Sequence, residues 1–101
     1  MILVTARVPI LPEHRDATIA LLTEVQTASR RDEGCESYAY YESIDEAGVF
    51  SAIELWRDSE ALAAHLKTEH VRLLVEAVRA HAAEAPDIVA HEVSSSGPLP
   101  L

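Results

Sequence analysis

The chain has 101 residues, a length that suits one domain, and hydrophobic residues make up 49% of it. Its formal net charge of −9 argues against nucleic acid and anionic lipid as partners, because both need a basic surface. No apolar run approaches the roughly 20 residues of a membrane span, and no signal peptide is recognisable. Cys35 is the only cysteine, which excludes a disulfide framework. We therefore expect a cytoplasmic protein that binds neither nucleic acid nor membrane.

The first third of the chain predicts a strand followed by a helix. Residues 2–9 are rich in β-branched side chains and end at a proline, which is typical of a strand. A helix can begin at Pro12 and is expected to stop near Gly34. Four apolar residues recur at helical spacing and predict the buried stripe of this helix: Ala17, Leu21, Val25 and Ala28, with Leu22 beside them.

The remainder predicts a hairpin, a broken helix and a last strand. Residues 36–43 and 49–56 read as strands joined by a short connection, and residues 87–93 as a fourth strand. Asp58 is a good N-cap for the second helical region, which is expected to break at Thr68 or Glu69. Beyond the break a second apolar stripe is predicted, formed by Val71, Leu74, Val75, Val78 and Ala82.

The element order is therefore βαββαβ, which predicts an α+β, ferredoxin-like fold with an antiparallel sheet. We expect a single domain over residues 1–93 and a C-terminal tail over residues 94–101. Two helices cover only one face of such a sheet, so the other face exposes apolar residues such as Ile53 and Leu55. This arrangement predicts a homodimer that packs sheet against sheet.

The third strand carries polar side chains that a core does not need. Glu54 and Trp56 share one sheet face with Phe50, because side chains alternate along a strand. Core packing is the commoner role of a single tryptophan, but a mid-strand carboxylate faces a cation, a pocket or solvent. Tyr38 would line the same cavity if the hairpin register set it opposite Glu54, a register that the sequence leaves open. The alternative is that the tyrosines of this strand simply cover a β surface.

Two histidines follow in the second helical region. His65 lies at the edge of an apolar stripe, where it is either structural or able to move protons near neutral pH. His70 would lie about 140° away on a continuous helix, so the two rings would not share a face. Neither HExxH nor another zinc-binding spacing is present, and we predict no metal and no cofactor.

The runs EGCESYAY and FSAIELWRDSEALAAHLKTEH resemble the antibiotic biosynthesis monooxygenase (ABM) family. The shared pattern is a Gly-Cys pair before a tyrosine strand, a Glu-x-Trp strand end, and a helix with Ala-His and then a second histidine. The resemblance implies a ferredoxin-like dimer whose sheets form an α+β barrel. Glu54, Trp56 and His65 match the strand-to-helix motif, and His70 matches its second histidine. The segment is then expected to form the wall of a cavity between sheet and helix.

The family includes cofactor-free oxygenases of quinols and aromatic polyketides, haem-degrading enzymes, and isomerases of a phosphorylated signalling sugar. The chain has no asparagine, whereas the polyketide and haem branches use one in the pocket, so we do not expect haem binding. An isomerase would need a cation near the phosphate, for which Arg7, Arg57 and Lys67 are the candidates.

The resemblance therefore implies oxidation of a small aromatic or quinol-type substrate with O2 and no cofactor. His65 would take the proton, with little effect of its replacement on melting temperature, and Trp56 would stack on the aromatic ring. The other expected substrate contacts are Glu54, Tyr38, His70 and Phe50. A non-catalytic ligand-binding dimer and an isomerase remain the alternatives.

Overall fold

The computed structural model describes residues 1–101 and has the predicted α+β, ferredoxin-like architecture. The strands are β1 (Ile2–Pro9), β2 (Cys35–Glu42), β3 (Val49–Trp56) and β4 (Asp87–Glu92), in the antiparallel order β2-β3-β1-β4. The helices are α1 (Arg15–Ser29), α2 (Ser59–His65) and α3 (Glu69–His81), with a 3-10 turn at Pro12–His14 before α1. Each predicted strand boundary lies within one residue of the observed one.

Helix α1 packs on the sheet, although its buried row differs from the predicted one. The buried residues are Thr18, Leu22, Val25 and Ser29, whereas Ala17 is exposed. Leu22 and Val25 are buried as predicted, but Thr18 and Ser29 take the places predicted for Ala17 and Ala28. An apolar pattern cannot reveal a row in which Thr18 and Ser29 take core places.

The start of α1 is fixed to the β2–β3 hairpin by a partly exposed ion pair. Arg15 donates two hydrogen bonds of 2.7 Å to the two oxygens of Glu42. The same carboxylate accepts from the backbone N–H of Gly48 at 2.8 Å. Gly48 has a φ of +80°, a conformation that favours glycine in this turn. The hairpin is therefore tied to the helix by its turn as well as by its strands.

The second helical region breaks as predicted, and the break has a local cause. Asp58 caps α2 by accepting from the backbone N–H of Ala61 at 2.8 Å. Thr68 caps α3 and also donates its hydroxyl to the carbonyl of His65 at 2.7 Å. Residues 66–68 thus turn the chain between two short helices. His65 ends the first of these helices and His70 lies in the first turn of the second.

The two faces of the sheet differ in cover. The helix-side face holds the core, whose largest cluster comprises Ile2, Val4, Val25, Tyr38, Trp56 and Ala61. The opposite face is open and exposes apolar side chains, including Tyr41, Ile53 and Val89. Every residue of β4 is exposed, so this edge of the sheet lacks cover on the helix side as well.

None of the helices has the length and apolar character that a membrane span requires.

The predicted tail, residues 94–101, contains neither helix nor strand. The division into one domain and a tail stays a prediction.

Candidate functional site

A cavity of about 460 Å³ lies between the sheet and the pair α2–α3. Its floor is the helix-side face of all four strands, and its roof includes the apolar residues Val71, Leu74, Val75 and Val78 of α3. Sixteen of its 21 lining residues are hydrophobic. The predicted stripe of α3 therefore faces a cavity that α3 only partly closes. A largely apolar space with a few polar groups is the usual form of a small-molecule site.

One carboxylate holds two histidines together at one end of this cavity. Asp32 Oδ2 lies 2.7 Å from His65 Nδ1 and 2.8 Å from His70 Nε2. His65 lines the cavity and is 3% exposed, whereas the His70 side chain is 21% exposed. On a continuous helix the two rings would not share a face, but the predicted break, observed at residues 66–68, turns the second ring back toward the first.

The hydrogen bonds to Asp32 fix which nitrogen of His65 is free. An ionised carboxylate only accepts, so His65 Nδ1 carries the proton of that bond and Nε2 keeps its lone pair. The free Nε2 lies 4.0 Å from Glu54 Oε1. Burial lowers the pKa of His65, although the hydrogen bond and charge of Asp32 act in the opposite direction. The ring is therefore neutral near pH 7 and can accept a proton through Nε2.

Glu54 and Trp56 form a buried pair on the strand opposite His65. Trp56 Nε1 donates to Glu54 Oε1 at 3.0 Å. Burial raises the pKa of Glu54, and this hydrogen bond lowers it by a smaller amount. The indole is 0% exposed and lies 4.3 Å from the His65 ring, centroid to centroid. It does not line the cavity. Trp56 therefore supports Glu54 and His65 from behind, and the expected stacking of its ring on a substrate needs correction.

The tyrosines complete the polar end from β2. The hairpin register pairs Tyr38 with Glu54, so both face the cavity. The hydroxyls of Tyr38 and Tyr40 lie 2.6 Å apart. Burial raises the pKa of Tyr38 to about 12 and also raises that of Tyr40, so both stay protonated near neutral pH. One hydroxyl donates to the other, which leaves one O–H that can donate to a ligand.

The structure brings only some of the predicted site residues to the cavity. Tyr38, Phe50, Glu54 and His65 line it, whereas Trp56 and His70 contact its polar end from outside. His65 is 3% exposed, so its ring contributes to packing, contrary to the expectation that its replacement has little effect on melting temperature. Its replacement is now expected to cost stability as well as activity.

Two charged residues at this site were not predicted from the sequence. Asp32 lies in the loop after α1, 33 residues before His65, and no local pattern links the two. Arg79 of α3 lines the cavity, whereas the proposed phosphate-binding cations Arg7, Arg57 and Lys67 do not. A cation on the apolar stripe of α3 is the one signal that could have identified Arg79.

Asp32, His65 and His70 are also the side chains that could hold a metal ion, since one ligand atom of each lies within 4.8 Å of the others. Ligand atoms on a shared tetrahedral ion are about 3.3 Å apart, given bonds of about 2.0–2.1 Å. The observed 2.7 and 2.8 Å are shorter and match hydrogen bonds. The arrangement is therefore that of a carboxylate orienting two rings, and the absence of a metal stays a prediction.

Comparison with known proteins gives consistent matches along the chain. A family model described as "Antibiotic biosynthesis monooxygenase" matches residues 1–77. An uncharacterised protein of Synechocystis is 32% identical over 89 residues, which cover 88% of this chain but only 56% of that protein. "Putative monooxygenase YcnE" of Bacillus subtilis is 28% identical over 94 residues, covering 93% and 99%. A crystal structure of an antibiotic biosynthesis monooxygenase superimposes with a TM-score of 0.87 at 30% identity, covering 94% and 100% of the two chains.

Proposed function

Because the chain belongs to the antibiotic biosynthesis monooxygenase family, we propose that it is a cofactor-independent monooxygenase of a small aromatic or quinol-type substrate. The observation that carries the proposal is the polar end of the cavity. There His65, oriented by Asp32, offers an unprotonated nitrogen beside an apolar space of about 460 Å³. A base in an apolar cavity is what such a reaction needs from the protein, since the deprotonated substrate itself supplies electrons to O2.

An anthrone-type methylene shows how the atoms balance. His65 Nε2 accepts a proton from the CH2 group, and the resulting carbanion reduces O2 as a C–O bond forms. The peroxide oxygen takes the proton back from His65. The O–O bond then breaks as the second C–H proton leaves, giving a carbonyl and one water. One oxygen atom enters the product, and the substrate provides all four electrons.

The tyrosine pair supplies a donor for the negative charge that forms on the substrate. Tyr38 lies on the cavity floor, and its ring centroid is 5.6 Å from that of His65. An O–H held in place beside a developing oxyanion lowers its energy more than water does, because it needs no reorganisation. We assign this donor role to the Tyr38–Tyr40 pair. Glu54, buried beside the base, holds the indole N–H of Trp56 and faces the same space.

Oxygen uptake tests the proposal. EDTA-dialysed protein should consume O2 with anthrone or 1,4-naphthalenediol faster than the uncatalysed reaction. His65→Gln should lower turnover per folded molecule by roughly 10² to 10⁴, the usual contribution of a positioned base. His14→Gln is the matched control, since that ring stacks on His81 and does not line the cavity. If these compounds bind without oxygen uptake, the protein is a ligand-binding protein and not an enzyme.

We also propose that two copies pair through the open face of the sheet. Ile53 and Tyr41 are 47% and 56% exposed there, and Leu55 is half-buried on the same face. Contiguous apolar surface of this kind usually marks an interface.

Light scattering should give about twice the 11.0 kDa of one chain. Leu55→Asp should yield monomers or unfolded protein, because an unpaired charge in an interface costs several kcal/mol. A wild-type monomer at micromolar concentration would refute the dimer.

A further inference from the structure

Arg79 is the positively charged side chain on the wall of the cavity, and it forms no hydrogen bond or ion pair within the chain. The other arginine of α3 behaves differently, since Arg72 binds both Glu69 and Glu76. Glu76 lies one turn before Arg79 and is the nearest acid on that helix. Its carboxylate is held by Arg72 Nη1 at 3.0 Å. The guanidinium of Arg79 is thus left without an acidic partner at the rim of an apolar space.

Arg79 and the base lie at opposite ends of the cavity. Val71 follows His70 at the polar end, and Arg79 is eight residues further along α3. At a rise of 1.5 Å per residue this is a separation of about 12 Å. The floor of the cavity has a similar length, because Glu54 and Phe50 are four residues apart on β3, a distance of about 13 Å. The cavity is therefore elongated, with a proton acceptor at one end and a cation at the other.

We propose that the substrate is an aromatic acid, bound with its oxidisable ring position at His65 and its carboxylate on Arg79. This inference rests on the proposed function and names the substrate class for the same site. A guanidinium binds a carboxylate through two parallel hydrogen bonds, which fixes the orientation of the ring system.

The charge of the wall favours a carboxylate over a phosphate. No second lysine or arginine lines the cavity, so a single positive charge is available for the anion. A phosphate monoester carries nearly two negative charges near neutral pH and would leave one of them unmatched. The net charge of −9 disfavours anions, and the positive charge of Arg79 offsets this at the cavity wall.

A pair of ligands that differ only in charge tests the inference without turnover. 2-Naphthoate and 2-naphthamide have nearly the same shape, and neither is an oxidisable quinol. Calorimetry should find 2-naphthoate bound about twofold to fivefold more tightly, because Arg79 is exposed and water and salt screen its ion pair. Arg79→Gln should remove this preference and leave affinity for the amide unchanged. Arg31→Gln is the matched control, because it removes the same charge from an exposed residue outside the cavity.

The outcomes separate this inference from the proposed function. Equal binding of acid and amide, or a preference for the acid that survives Arg79→Gln, overturns the role of Arg79 and leaves an aromatic cavity in place. Binding of neither compound removes the aromatic ligand altogether and overturns both proposals. A tighter fit for 2-naphthyl phosphate than for 2-naphthoate would overturn the choice of a carboxylate.

Discussion

Helices α1 and α3 both turn an apolar face toward the sheet, but only α1 rests on it. Val25 and Ser29 of α1 are 2% and 0% exposed and do not line the cavity. On α3, Val75 remains 40% exposed, and most of its stripe lines the cavity. The contrast shows that an apolar helical stripe identifies a face that avoids water without saying whether protein or ligand covers it. The sealed half of the molecule is expected to carry stability, and the open half to carry binding and chemistry.

The largest difference between the halves should come from placing the same charge in each. Val25→Asp buries an unpaired carboxylate, at a cost of several kcal/mol against a typical domain stability of 5–15 kcal/mol. Val75→Asp keeps its charge in contact with water and should change the free energy of unfolding by less than about 1 kcal/mol. Urea denaturation of the two variants measures the contrast. Equal loss of stability at both positions would mean that α3 is packed like α1.

Removal of the Asp32 charge should affect the open half alone. Asp32→Asn is expected to lower turnover by about tenfold to a hundredfold, the effect seen when a metal-bound histidine loses the carboxylate that orients it in the same way. Asp32 raises the pKa of His65 against the effect of burial. The base is active when neutral, so the acid limb of the pH–rate profile should move to lower pH in the variant. A limb that stays in place or moves upward would contradict the role of Asp32.

The matched control for Asp32→Asn is Glu33→Gln. It removes one negative charge from the next residue, whose side chain is 89% exposed. His70, Glu54 and Tyr38 also face His65 and are unchanged in both variants. The control should leave turnover and the pH limb as they are in the wild type.

A larger side chain should fill the cavity beside α3 but overpack the core beneath α1. Val78→Phe adds volume where the cavity is empty, so it should lower affinity for 2-naphthamide about tenfold with little change in stability. Val25→Phe inserts the same volume into close-packed core and should cost about 1–3 kcal/mol. Calorimetry and thermal melting of both variants give the comparison. Undiminished ligand affinity in Val78→Phe would place the ligand elsewhere.

The smallest expected effect concerns the tie between α1 and the hairpin. The hydrogen bonds from Arg15 and Gly48 lower the pKa of Glu42 to about 2. A folded-state pKa below the unfolded value stabilises the protein above about pH 4.5, and this contribution is lost as the pH falls toward 2. Glu42→Gln should therefore be less stable than wild type at pH 7 and nearly equal to it at pH 2. A difference that is constant between these pH values would contradict the ion pair.

Local pattern was sufficient for the fold and for part of the site. Strand alternation, turn residues and caps predicted the order βαββαβ and the break at Thr68, because these signals act within a few residues. Parity placed Glu54 and Phe50 on the cavity side of β3. The register that sets Tyr38 opposite Glu54 was open in the sequence, since it depends on how the hairpin closes.

The remaining site residues depend on contacts between distant segments. Asp32 meets His65 and His70 only after α1, the hairpin and the helix break have all formed, so nothing near it in sequence marks it. The burial of Trp56 behind the cavity wall is likewise set by what packs on its face. Periodicity predicts on which face of a strand or helix a side chain lies, but not which residues from other segments contact it.

Isotope labelling tests the central claim most directly, namely that the open half of the molecule oxidises an aromatic substrate with O2 through His65. With anthrone and ¹⁸O2, the wild-type protein should form product with one ¹⁸O atom in the new carbonyl, at a rate well above the uncatalysed reaction. His65→Gln, checked for folding by circular dichroism, should fall back nearly to the uncatalysed rate. Labelled product that forms equally fast with folded wild type, with His65→Gln and without protein would contradict the account.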